Sequence, residues 1–114
     1  MTNPSVIVRT MSTRTRKNPT IRKAEILDAA VAVAVAEGLR GATRDLIAAR
    51  VGVSPALISM HYSTMDQLRR AVMRAAVERE VLSLVAEGLA MRDPHALKAP
   101  EDLRRRAADS LTKG

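Results

Sequence analysis

Residues 43–62 read TRDLIAARVGVSPALISMHY, and this stretch decides the fold. Thr43 has the side chain of a helix cap, and Asp45 in the following turn meets the positive end of a helix dipole favourably. Leu46, Ile47 and Val51 are expected to face inward. Gly52 predicts a tight turn in a left-handed backbone conformation, with Val53 packed beneath it. Ser54 caps a second helix, and Pro55 takes its first position, where a missing N–H costs nothing. Ile58 and Tyr62, four apart, anchor that helix to a core. Two short helices meeting at a glycine turn are the sequence form of a helix-turn-helix.

Upstream, Thr20 is expected to cap a helix that runs to Glu37 and stops at Gly38. Its VAVAVA stretch at residues 31–36 imitates a strand. Apolar residues fill both parities there, Ala is a poor strand former, and the pattern begins inside a longer helical run. Ile26, Leu27, Ala30, Val33 and Ala34 form one apolar face at helical spacing. Gly41 sits in the turn that follows. Downstream, a turn at Ser63-Thr64 leads into a long helix over residues 66–90, with a near stripe of Leu68, Val72 and Ala75 and a distal stripe of Val77, Val81, Leu84 and Val85. Gly88 reads as a flaw near its end. Arg92-Asp93-Pro94 breaks the chain, and a last helix over residues 100–111 carries Leu103, Ala107 and Leu111 on one face with Arg104, Arg105 and Arg106 around the others. The expected architecture is all-α: a three-helix helix-turn-helix head over residues 20–65, followed by a long helix and a short C-terminal helix in a dimerisation region over residues 66–114.

The composition agrees. The 114 residues suit one domain, with Tyr62 as the only aromatic residue. A core of Ala and Val is thin, which points towards oligomerisation. The formal charge of +7 is uneven: Arg9, Arg14, Arg16, Lys17, Arg22 and Lys23 fall within residues 1–23, which hold no acid, while the remainder is nearly neutral. Residues 1–19 therefore read as a basic arm, with Arg14, Arg16 and Lys17 suited to a nucleic-acid backbone; a solvated tail is the competing reading. Met11-Ser12 offers a second natural start.

Several classes are excluded. The chain has no cysteine for a disulfide framework or zinc finger. Its longest apolar run, residues 29–36, falls far short of the roughly 20 residues that span a bilayer. Val6-Ile7-Val8 is too short for the apolar region of a signal peptide. A cytoplasmic, nucleoid-associated location without a membrane partner is expected. No cofactor or metal is expected, because His61 has no ligand partner at helical spacing and His95 lies in a loop. Ser54 near His61 lacks an acid to orient the imidazole, so no enzymatic activity is expected.

A major groove about 12 Å wide admits one helix, with side chains near its N-terminus reaching base edges. The reader must be short, exposed on one face and held by a support helix. Ser54 starts such a reader, and Pro55, Ala56, Leu57, Ser59, Met60 and His61 would form its exposed face. The Thr43 hydroxyl and the amides behind it suit a phosphate.

At these residues the chain resembles the TetR family of transcriptional regulators. Ile26, Leu27, Ala29 and Ala30 match the family's first helix, and Glu37-Gly38 its end. Thr43 with Ile47-Ala48, Gly52-Val53-Ser54, His61-Tyr62 and Leu68 match the rest, so the resemblance spans about residues 20–75. It implies that Thr43 and Arg44 meet the DNA backbone, with Arg44 in reach of a base. Pro55, Ala56, Leu57 and Met60 would face the groove, and His61 a phosphate. Ser59 and Met65 stand where the family usually has Tyr and Lys for phosphate contact, and Ala34 replaces a Phe. Some 40 residues follow the head, too few to enclose an effector cavity of several hundred Å3. The expected function is therefore a small homodimeric repressor that occupies a pseudo-palindromic double-stranded DNA operator without a small-molecule effector domain. The seam is expected at Val77, Val81, Leu84 and Val85. Two alternatives stay open: a protein-interaction module, such as an adaptor or antirepressor with a protein partner, and a low-specificity DNA-organising protein.

Overall fold

A computed structural model describes residues 18–113, and every regular element among them is helical: α1 Pro19–Glu37, α2 Arg44–Val51, α3 Pro55–His61, α4 Met65–Glu78, α5 Leu82–Ala90, α6 Pro94–Leu97 and α7 Glu101–Lys113. The basic residues Arg14, Arg16 and Lys17 lie outside the described residues.

Local chemistry sets most of the boundaries. Asn18, rather than Thr20, caps α1: its Oδ1 accepts the Thr20 N–H at 2.7 Å, and Pro19 takes the first helical position. Thr43 and Ser54 cap α2 and α3 by accepting the N–H groups of Leu46 and Leu57, both at 3.3 Å. Thr64 caps α4 through the Gln67 N–H at 3.1 Å, and Gln67 Oε1 accepts the Ser63 N–H at 3.0 Å. The turn expected at Ser63-Thr64 is thus a near-reciprocal capping box.

α1 is the central strut, touching α2, α3, α4 and α5. One continuous core runs from Ile26 to Ala107, built around Ile26, Ile47, Ile58, Leu68, Met73 and Leu84 with many buried alanines. Small side chains let the helices approach closely and compensate for the lack of large aromatic fillers. Leu46, expected inside, is 45% exposed. An eight-residue helix packed on α1 buries a narrow stripe, here Ile47 and Ala48, and leaves its neighbours outside.

The second half departs further from expectation. The helix expected over residues 66–90 is two helices, separated at Glu80, whose φ is 56°. The Val81 N–H reaches back to the Ala76 carbonyl at 2.9 Å, the six-to-one bond of a Schellman-type ending. α5 then folds back on α4 instead of extending it. Its apolar side is spent within the chain: Leu84 and Val85 are fully buried in the core of α4–α7, so they cannot form the expected seam with a second copy. Val77 and Val81 remain half-buried.

Gly88 is a packing requirement rather than a flaw. A Cβ there would lie 2.6 Å from Met73 Cε and 2.9 Å from Ala96 Cβ. The expected break at residues 92–94 also becomes structure. Arg92 takes a φ of 60° to end α5, and Asp93 Oδ1 caps α6 through the His95 N–H at 2.8 Å. Leu103 and Ala107 hold α7 against α5, while Leu111, expected on the same face, is exposed.

The arginines of α7 are not a free fan. Arg104 Nε donates to the Ala99 carbonyl at 3.0 Å, and Arg106 bridges Asp102 at 2.9 Å and Glu80 at 3.1 Å. Two carboxylate partners raise the Arg106 guanidinium further above its already high range, with the Glu80 hydrogen bond foremost.

Candidate nucleic-acid interface

The α2–Gly52–α3 unit owes its angle to the turn. Gly52 adopts φ 88° and ψ 35°, the left-handed region, and its N–H and that of Val53 both donate to the Ala48 carbonyl, at 2.8 and 3.0 Å. The chain therefore reverses within three residues and starts α3 at Pro55. Ile58 is fully buried and Tyr62 is 7% exposed, so α3 is pinned from one side.

The opposite side of α3 is open. Pro55 and Ala56 are exposed, and Met60 is 77% exposed, the most exposed large apolar side chain among the described residues. Leu57, Ser59 and His61 are half-buried at the margins of this face. Ser54 is exposed but its hydroxyl is engaged as a cap. The shape of the strip, one short helix with small residues at its N-terminal end and Met60 beyond them, suits a DNA major groove.

Thr43 is exposed at the start of α2, with Arg44 half-buried beside it. Arg44 Nε is shielded from solvent without a hydrogen-bond partner. The structure thus brings Thr43 and Arg44 to one helix start and Pro55, Ala56 and Met60 to one exposed face. Val77, Val81, Leu84 and Val85 belong to another part of the fold, at the α4–α5 junction and inside α5.

Tyr62 closes the reading helix in a cationic setting that sequence reasoning missed. Lys23, on α1, holds its ammonium 4.9 Å from the centroid of the Tyr62 ring. Burial pushes the Tyr62 phenol upward from its ordinary value, opposed by the positive charge of Arg74 on α4. Thirty-nine residues separate Lys23 from Tyr62, and neither periodicity nor motif signals the pair.

This geometry is that of a helix-turn-helix DNA-binding domain. Residues 26–72 match the family model of the bacterial regulatory proteins of the tetR family, which supports a TetR-type N-terminal helix-turn-helix DNA-binding domain in this segment. Neither the curated proteins nor the solved structures contain a match to the chain. No helix among the described residues is long and apolar enough to cross a membrane.

Proposed function

We propose that the chain is a sequence-reading, homodimeric repressor that acts in the cytoplasm by occupying a pseudo-palindromic operator. The observation that carries this reading is the α3 surface: Ile58 and Tyr62 lock the helix while Pro55, Ala56 and Met60 stand exposed in a row that one groove can cover. Pro55, Ala56, Leu57 and Met60 make apolar contacts to base edges, thymine methyls in particular. Thr43, Arg44, Ser54, Ser59 and His61 hold the sugar–phosphate walls, and Arg14, Arg16 and Lys17 add charge from the N-terminal arm.

The reading includes no small-molecule effector. The interior of α5–α7 is filled by Leu84, Val85, Ala96, Leu103 and Ala107, which supports control by occupancy rather than by an enclosed inducer. With Leu84 and Val85 committed to the core, the dimer seam falls to the half-buried Val77 and Val81 and their surroundings.

Met60→Glu tests the reading. It places a carboxylate on an exposed position facing the groove, so specific binding should be lost while the melting temperature stays unchanged. Retained binding at wild-type affinity would refute the assignment of α3 as the reader. The arm is tested by deleting residues 1–17, which spares the Asn18 cap. Affinity and its salt dependence should both fall.

A further inference from the structure

The cation over Tyr62 stands apart from the ion pairs of the neighbouring helices. Lys23 is exposed and forms no ion pair among the described residues, whereas its neighbour Arg22 is paired with Glu25 at 3.4 Å. Arg69 is paired with Asp66 and Arg79 with Asp28. The Lys23 ammonium instead stands over a ring face, 4.9 Å from its centroid, without a carboxylate partner among the described residues.

Its place relative to α3 gives that charge a partner. Tyr62 follows His61, the last residue of α3. A recognition helix puts its N-terminal residues on the bases, and a seven-residue helix is roughly 10 Å long. The major groove is about 8.5 Å deep, so the C-terminal end of such a helix emerges at the groove rim, where the phosphates lie. α1 brings Lys23 to that end from outside the helix-turn-helix. The negative end of the α3 dipole also favours a cation there.

We infer that Lys23, positioned by the face of Tyr62, is a phosphate anchor at the rim of the DNA groove. The inference rests on the DNA-binding reading above and adds to it a contact from α1. The site takes a phosphodiester oxygen of either strand wall and has no base preference. Tyr62 acts here through its ring and not its hydroxyl, as a positioning residue.

The test compares wild type, Lys23→Gln, Lys23→Arg, Tyr62→Phe and Tyr62→Leu on a random-sequence duplex across a salt series. Loss of one phosphate contact lowers the slope of log K against log salt by about 0.9. Lys23→Gln should show that loss and weaken binding by the same factor on a selected specific duplex, with an unchanged melting temperature. Lys23→Arg and Tyr62→Phe should keep the wild-type slope. Tyr62→Leu, which removes the ring but keeps the site apolar, should behave like Lys23→Gln where it remains folded. An unchanged slope in Lys23→Gln, with wild-type binding intact, overturns the anchor alone. Absence of wild-type binding to either duplex overturns the DNA-binding reading and the anchor with it.

Discussion

Glu87 on α5 accepts the backbone N–H of Leu39 at 2.7 Å, across 48 residues of sequence. Leu39 lies in the loop between α1 and α2, beside Gly38, whose φ of 87° is open to glycine with little strain. This carboxylate therefore ties the C-terminal helices to the loop that delivers Thr43 to the start of α2. A hydrogen bond to a charged acceptor contributes about 1.5–3 kcal/mol, with partial exposure favouring the lower end.

Glu87→Ala should lower stability by about 1–2 kcal/mol by urea denaturation, since it orphans the Leu39 N–H. Glu87→Gln keeps an acceptor oxygen and should recover at least half of the loss. Equal losses in the two variants would show that the bond contributes little.

Gly88→Ala separates packing from helix propensity. Propensity alone favours Ala by about 1 kcal/mol. The new methyl meets Ala96 and the end of the fully buried Met73 side chain. Overpacking costs about 1–3 kcal/mol, so the variant should be net destabilised, by up to about 2 kcal/mol in a denaturant titration. A stabilised variant would mean that the α4–α5–α6 contact relaxes freely.

Among the described residues, four helix ends place a residue at positive φ, Gly38, Gly52, Glu80 and Arg92, and the last three respond differently to substitution. Gly52→Ala should lose about 1 kcal/mol through backbone strain alone, since a Cβ there meets nothing within 4 Å. Arg92→Gly should be neutral to about 1 kcal/mol stabilising, because it removes the strain at φ 60° but adds unfolded-state entropy. Glu80→Gly gains less, as it also removes the bridge to Arg106. Thermal melts should place Gly52→Ala lowest, Glu80→Gly in the middle and Arg92→Gly highest.

The Tyr62 phenol gives a pH signature. Burial raises its folded value above the ordinary phenol value near 10, so in alkali the unfolded state ionises first. Stability that is intact below about pH 10 is then lost as pH climbs through the folded value. Tyr62→Phe should flatten that part of the stability–pH curve relative to wild type. Parallel curves for the two proteins would contradict the assignment.

These cases show where sequence was informative. The helix-turn-helix was legible because its signals are local: Thr43, Gly52, Ser54 and Pro55 each act within three or four residues, and each takes the expected conformation. The exposed row of α3 followed from the burial of Ile58 and Tyr62. The break at Glu80 was not legible, because no glycine or proline marks it. The chain turns there through a bond from Val81 to Ala76 and a side chain held by Arg106, which lies 26 residues away. The same distance effect hid the Glu87–Leu39 tie and the Lys23–Tyr62 stack. It also misdirected the distal stripe: Leu84 and Val85 have the pattern of an interface, and folding α5 back on α4 consumes them internally.

The most direct test of the central claim is selection of bound fragments from a random DNA library at about 150 mM salt, where non-specific phosphate contacts are weakened. A dimeric reader with α3 in the major groove predicts an enriched inverted repeat, with half-site centres about one helical turn or a multiple apart. A well-folded protein that enriches no sequence would contradict it.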